Sequence, residues 1–380
     1  MTKKILMACA NHWTSPFQVG SHHIAKGFAN AGYQVAFISD PISPLHILNG
    51  ISDALRDRFS IYQEGGIWDY QNKIWTYIPA ALATPHNKPI LRSEWIHNNW
   101  YKLTWPNVFK VVAKNGFEKV DTLYFDSINQ AFWLDVIPHD KSIFRIADKN
   151  TGFSKTTSAT IKQEEKLAQQ VDLVVYSAKS LESYVQSLHP KNTMFLPNGV
   201  NFEHFANGSK TLPVEYQNIK KPIAVYVGAM DVWFDYELVN YAARELPQVS
   251  FVLIGPDKLA RQRLADLPNI HLLGSRDYSE LPAYLHNADV GIIPFDIKDH
   301  AELIAHINPL KLYEYMACNL PVVSVHWEEL ELLKTPAILV NSYKAFVKAI
   351  KESIQIPKSI ECYQKYAHKH DWKERVRILL

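Results

Sequence analysis

Asn308-Pro-Leu-Lys-Leu-Tyr-Glu-Tyr315 sets a lysine and a glutamate three residues apart, Lys311 and Glu314, behind Pro309. On a helix that spacing puts both side chains on one face. Proline suits a first helical turn, where its missing N–H costs little. Cys318-Asn-Leu-Pro321 reads as the helix end, and Val322-Val323 begin an apolar strand. A helix start carrying one cation and one carboxylate can hold a nucleoside diphosphate. Its free N–H groups and Lys311 would face phosphate, and Glu314 would accept from the ribose hydroxyls. An ordinary amphipathic helix with a solvated Lys and Glu has the same pattern.

Three further places could carry chemistry. Ile223-Ala-Val-Tyr-Val-Gly-Ala-Met230 reads as a strand followed by Gly228, where backbone could approach a phosphate, and a helix follows near Asp235. Leu273-Gly-Ser-Arg276 follows another strand. Ser275 and its neighbours could present backbone groups to a nucleobase, with Arg276 near phosphate or sugar, or the segment could be a surface turn. Phe144-Arg-Ile-Ala-Asp148 ends a strand with a carboxylate, where a general base would stand. A turn or N-cap Asp reads the same way. Asn11-His12-Trp-Thr-Ser-Pro16 forms the first loop after a strand, with His22 just beyond as a polar lining residue. There are no Cys partners or His-Glu-x-x-His for zinc, and no Walker loop, nucleophile elbow or Gly-x-Gly-x-x-Gly.

These positions need a scaffold of alternating strands and helices. Apolar runs at Lys4–Ala10, Gln34–Ser39, Asp121–Asp126, Ser142–Ala147 and Asp172–Ser177 predict buried parallel strands. A second series follows at Ile223–Gly228, Ser250–Gly255, Asn269–Gly274, Asp289–Pro294, Pro321–Ser324 and Ala337–Val340. Two Rossmann-like domains are expected, with sheets facing a central cleft: residues 1–198, residues 199–360, and a helix at 361–380 crossing back to the first domain. Residues 60–115 break the alternation and hold Trp68, Trp75, Trp95, Trp100 and Trp105 among more cations than carboxylates. This segment is either a packed insertion or a surface for membrane or sugar.

The 380 residues suffice for two domains, and a net charge of +2 excludes a dominant nucleic-acid footprint. The three cysteines, widely spaced, make no disulfide framework and fit a reducing cytoplasm. No apolar run approaches the roughly 20 residues of a membrane span, so any membrane contact is expected to be peripheral.

Together these residues resemble the GT-B glycosyltransferases of bacterial surface and exopolysaccharide synthesis. Leu196-Pro-Asn-Gly-Val-Asn201 with Phe205 resembles their interdomain segment, Tyr226–Asp235 their first loop of the second domain, and Asn308–Tyr315 their donor-binding helix. In the first domain, Asn11–Pro16, Tyr124-Phe-Asp-Ser127 and Phe144–Asp148 are similar to the xanthan glucuronosyltransferase type. The resemblance implies transfer from a UDP-linked donor to a glycan or lipid-linked acceptor at the inner membrane face. It implies Asp148 as the base of an inverting reaction, and Met230, Phe295, Lys311 and Glu314 around the nucleotide diphosphate. No Asp-x-Asp motif is present to hold a metal, and no cofactor is expected. Two departures stand out. His306 replaces the first acid of the Glu-x7-Glu pair of many retaining enzymes, and Ser275-Arg276 replaces a loop that carries Glu in the glucuronosyltransferase. Two other readings remain open: a GT-B sugar-nucleotide epimerase, and a non-catalytic sugar-nucleotide-binding subunit.

Overall fold

The computed structural model describes residues 2–48, 53–150, 156–355 and 362–380. The chain forms two compact units, Met1–Pro197 with Leu379–Leu380, and Asn198–Ile378.

The first unit is built on an eight-stranded sheet. Its strands are β1 (Lys4–Cys9), β2 (Gln34–Ser39), β3 (Ile67–Asp69), β4 (Ile74–Tyr77), β5 (Thr122–Phe125), β6 (Lys141–Ile146), β7 (Leu173–Tyr176) and β8 (Thr193–Phe195). Their order is β3-β4-β2-β1-β5-β6-β7-β8, and every pair is parallel except β3 with β4. Central strands such as β1 are buried along almost their whole length, as continuous apolar runs require between two helical layers. The order reverses between β1 and β5, so the carboxyl ends of those strands flank a crevice where open α/β sheets bind ligands.

Three of the strands were not legible in the sequence: β3, β4 and the three-residue β8. β3 and β4 fall inside the Trp-rich segment, and the turn Tyr70-Gln71-Asn72 between them is left-handed at all three residues. Short strands around such a turn leave little periodicity to read. The tryptophans divide: Trp75 and Trp100 are fully buried, whereas Trp95 and Trp105 are 59% and 80% exposed. The buried pair fits the packed-insertion reading, and the exposed pair lies on the surface.

The second unit carries β9 (Ile223–Val227), β10 (Ser250–Ile254), β11 (Ile270–Gly274), β12 (Val290–Ile293), β13 (Val322–Val325) and β14 (Ile338–Val340). Their order is β11-β10-β9-β12-β13-β14, all parallel, with the reversal between β9 and β12. Of the expected final helix, residue 361 lies outside the described residues. The rest is two helices, Cys362–His368 and Trp372–Leu379, rather than one. Between them Val200 N–H donates to His370 O at 2.9 Å and Trp372 N–H to Val200 O at 3.0 Å. The segment stays with the second unit up to Ile378. Only the last two residues join the first unit, where Leu379 O accepts from Lys141 Nζ at 3.2 Å.

Candidate functional site

In the second unit the crevice at the β9/β12 reversal is shaped by one tyrosine. β9 and β12 pair only through Ala224 and Val225 and then part, which would leave the Val227 N–H without a partner. Tyr315, on the helix Leu310–Ala317, fills that place: its hydroxyl accepts from Val227 N–H at 2.7 Å. The ring lies on Gly291, where a Cβ would stand 2.3 Å from Tyr315 Cδ2. This contact sets the start of the helix at the carboxyl edge of the sheet and brings Lys311 and Glu314 to the crevice. Cys318 caps the helix and Asn319 follows at φ +56°, the left-handed stop expected there.

Lys311 is half-buried. Its ammonium lies 4.7 Å from the Phe295 ring centre and 5.1 Å from that of Tyr226. Among the described residues it makes no hydrogen bond or ion pair, and burial lowers its pKa to about 8. Gly228 abuts it, since a Cβ there would be 3.1 Å from Lys311 Cε and 3.3 Å from Nζ. Gly228 is at φ +146°, as is Gly255, whose Cβ would fall 2.0 Å from Gly228 O. Two strand ends thus need glycine for their backbones to touch. Glu314 is buried and likewise has no hydrogen-bond partner among the described residues. Burial pushes its pKa up to about 7, with the Lys311 charge opposing. A cation and a carboxylate side by side, neither hydrogen-bonded, are groups an incoming ligand can satisfy.

The other expected donor residues divide. Phe295 is buried, stacks on Trp327 at 5.5 Å and floors Lys311. Met230 is buried in the apolar core and its main chain is held, O accepting from Tyr236 Oη at 2.8 Å. Asn308 faces inward rather than toward a ligand. Its Oδ1 accepts from Tyr313 Oη at 2.8 Å, its Nδ2 donates to the fully buried Glu329 at 3.3 Å, and its carbonyl accepts from Asn198 Nδ2 at 2.7 Å. It positions the loop that opens the helix. Ser275 is exposed. The Arg276 guanidinium turns away into a salt bridge with Glu215 at 2.6 Å, a bond to Tyr284 Oη at 2.9 Å and the carbonyls of Leu273 and Ser275. With all these partners it is a structural brace, not a free phosphate ligand.

In the first unit Asp148 lies two residues beyond β6, lining a pocket of about 300 Å³. It is half-buried, and burial raises its pKa, with Arg145 opposing and Asp126 adding to the rise. Arg145 and Asp126 form a buried ion pair at 2.9 Å. Asp40 lines the same pocket and accepts from Ser127 Oγ, Asn129 Nδ2 and Gln130 Nε2 at 2.7, 2.8 and 3.0 Å. Sequence reasoning did not single out Asp40, Asp126 or Arg145. Asp126 and Arg145 lie inside the quoted motifs, but the ion pair spans two strands and leaves no local signal.

The histidines do not line this pocket. His22 is fully buried; its Nδ1 accepts from Val19 N–H at 3.2 Å, so Nε2 carries the proton and donates to His12 O at 3.0 Å. Both nitrogens are spent pinning the first loop. His12 is half-buried and reaches Thr14 Oγ1 at 3.1 Å. Burial, helped by Arg58 and His22, lowers its pKa to about 4 and leaves it neutral at pH 7.

Comparison with known proteins agrees with this architecture. Residues 7–177 match the family described as glucuronosyltransferase GumK, N-terminal domain, and residues 221–355 match glycosyl transferases group 1. TuaH of Bacillus subtilis, named for a glycosyltransferase role in teichuronic acid biosynthesis, is 24% identical over 202 residues. That match takes in 51% of this chain, and the chain spans about half the length (50%) of that relative. Sucrose-phosphate synthase of Thermosynechococcus elongatus superposes with a TM-score of 0.67 at 18% identity, covering 99% of this chain and 94% of that one. Anabaena HepE, solved with UDP and glucose, gives 0.66 at 16% identity, covering 99% and 98%. Fold and family matches define the GT-B class. Within that fold, residues 7–177 and residues 221–355 are each similar to a glycosyltransferase family.

Proposed function

We propose that this protein moves a sugar from a UDP-linked donor to a hydroxyl of a glycan or lipid-linked saccharide in bacterial polysaccharide synthesis. The observation that carries the reading is the pair Lys311 and Glu314 at the β9/β12 crevice, both without hydrogen-bond partners among the described residues, beside the bare backbone of Gly228. A diphosphate would accept from Lys311 and the helix start, and ribose hydroxyls would donate to Glu314. HepE in complex with UDP-glucose supports the choice of nucleotide. Lys311 and the helix start would stabilise the leaving diphosphate, so the proposal needs neither metal nor cofactor. Asp148 would take the acceptor proton in an inverting transfer, an effect worth roughly 10²–10⁴-fold.

The proposed setting is the cytoplasmic face of the inner membrane. No helix among the described residues is long and apolar enough to cross a membrane. Leu82, Ile90, Trp95 and Trp105, each more than half exposed, offer a peripheral contact within residues 60–115.

The test is a thermal-shift panel of UDP, GDP, ADP and their sugar conjugates, followed by transfer assays with Asp148→Asn. The proposal expects a UDP-selective rise, with turnover lost in the variant and UDP binding kept. No rise with any nucleotide would overturn the donor site, and full turnover in Asp148→Asn would overturn the base.

A further inference from the structure

We infer that the pocket beside Asp148 receives an uncharged, hydroxyl-bearing sugar and rejects one that carries a carboxylate or phosphate. The inference rests on the proposed function and narrows its acceptor. Three carboxylates line the pocket: Asp40, Asp126 and Asp148. Arg145 is the one cation among the described lining residues, and it is committed to Asp126 at 2.9 Å. Its guanidinium is also packed on Gly20, where a Cβ would stand 2.8 Å from Nη2. Arg58 approaches from outside the lining, but its Nη2 donates to the main-chain oxygens of Asp40 and Pro41 at 3.0 and 3.2 Å.

The neutral donors are turned into the wall as well. Ser127, Asn129 and Gln130 all donate to the Asp40 carboxylate. Asn150 Nδ2 donates at 2.8 Å to Glu164, a fully buried acid that also accepts from Tyr184 Oη at 2.7 Å. The Asp148 carboxylate, the Oδ1 atoms of Asn129 and Asn150, and Oδ2 of Asp126 make no hydrogen bond among the described residues. Each amide keeps one further N–H, so the lining offers more acceptors than donors. Hydroxyl groups can donate to such a surface. An anion would meet like charge in a partly desolvated site and find no uncommitted cation among the described lining residues. Burial already raises the pKa of both Asp40 and Asp148, the response of a pocket that holds negative charge at a cost.

The test measures binding of matched methyl glycosides to the full chain at pH 7 with UDP present, by ligand-observed NMR. Neutral gluco-, galacto- and mannosides are paired with the corresponding uronides and 6-phosphates. The best neutral glycoside is expected to bind at least tenfold tighter than its charged partners. That ratio is expected to shrink several-fold in Asp40→Asn and in Asp148→Asn, two variants so that the misfolding of one does not remove the test. Being a ratio, it is insensitive to a general loss of active protein. A uronide or phosphate that binds as well as its neutral partner overturns the inference, as does a ratio unmoved in both variants. If no glycoside binds while UDP still raises the melting temperature, the acceptor inference falls and the donor site stands. If UDP has no effect either, the proposed function falls with it.

Discussion

Lys311→Met separates what the buried ammonium costs the free protein from what it contributes to binding. In the free protein the charge is held over Phe295 and Tyr226 with no hydrogen-bond acceptor among the described residues, and burial lowers its pKa to about 8. The folded pKa lies below the ordinary 10.5, so the penalty is present in full below about pH 8 and fades as pH rises from 8 toward 10.5. Methionine keeps the apolar stem and removes the charge. At pH 7 the apo variant is therefore expected to melt at or above the wild-type temperature, and its advantage should shrink above pH 8. Binding should move the other way. A hydrogen bond from a charged donor contributes about 1.5–3 kcal/mol, and its loss weakens binding roughly 10- to 150-fold. With UDP at 100 times the wild-type Kd, wild type gains about 2.7 kcal/mol, and the variant gains between about 1.4 and about 0.3 kcal/mol. Isothermal titration with UDP and melting of the free protein read the two effects independently. UDP affinity within twofold of wild type, in a variant that melts normally, would refute the donor role of Lys311.

Other perturbations read other parts of the structure. Glu314→Gln is expected to stabilise the free protein at neutral pH. Its advantage should decline as pH falls from about 7 toward 4.5, because the raised folded pKa makes the cost of the carboxylate full above about pH 7 and absent below 4.5, and melting curves at pH 5 and 8 check the sign. Gly291→Ala places a Cβ against the Tyr315 ring and is expected to cost roughly 1–3 kcal/mol in urea titration; a neutral result would mean that Tyr315 does not need that close seat. His97 is buried with no hydrogen-bond partner on either ring nitrogen among the described residues, so His97→Leu is expected to stabilise the first unit by about 1–3 kcal/mol. Its gain should grow as pH drops below 6.5, since burial lowers the folded pKa and the wild type loses stability as the unfolded chain takes up the proton. A pH-independent difference would remove that explanation.

Much of the fold was legible because a parallel strand buried on both faces must be apolar along its length. The runs at Lys4–Ala10, Ile223–Gly228 and Ser250–Gly255 became β1, β9 and β10 with ends shifted by a residue. β3 and β4 escaped because they are short and meet at a left-handed turn. In the site, Lys311 and Glu314 were legible because three-residue spacing on one helix is a local fact. Asn308, Arg276 and His22 were expected to line ligand sites, and each is used up by partners 8 to 110 positions away or by the turn it pins.

By itself the sequence determined the alternation of buried strands and helices, the helix carrying Lys311 and Glu314, and the carboxylate that follows β6. These follow from periodicity and spacing within a single element. The tertiary structure alone decided which polar groups remain free. It set Tyr315 against Gly291 and the Val227 N–H, paired Arg145 with Asp126, and turned Arg276 into Glu215. A side chain's chemistry belongs to its residue type, but its availability depends on where distant strands and loops bring their own donors and acceptors, and that is fixed only when the sheets assemble.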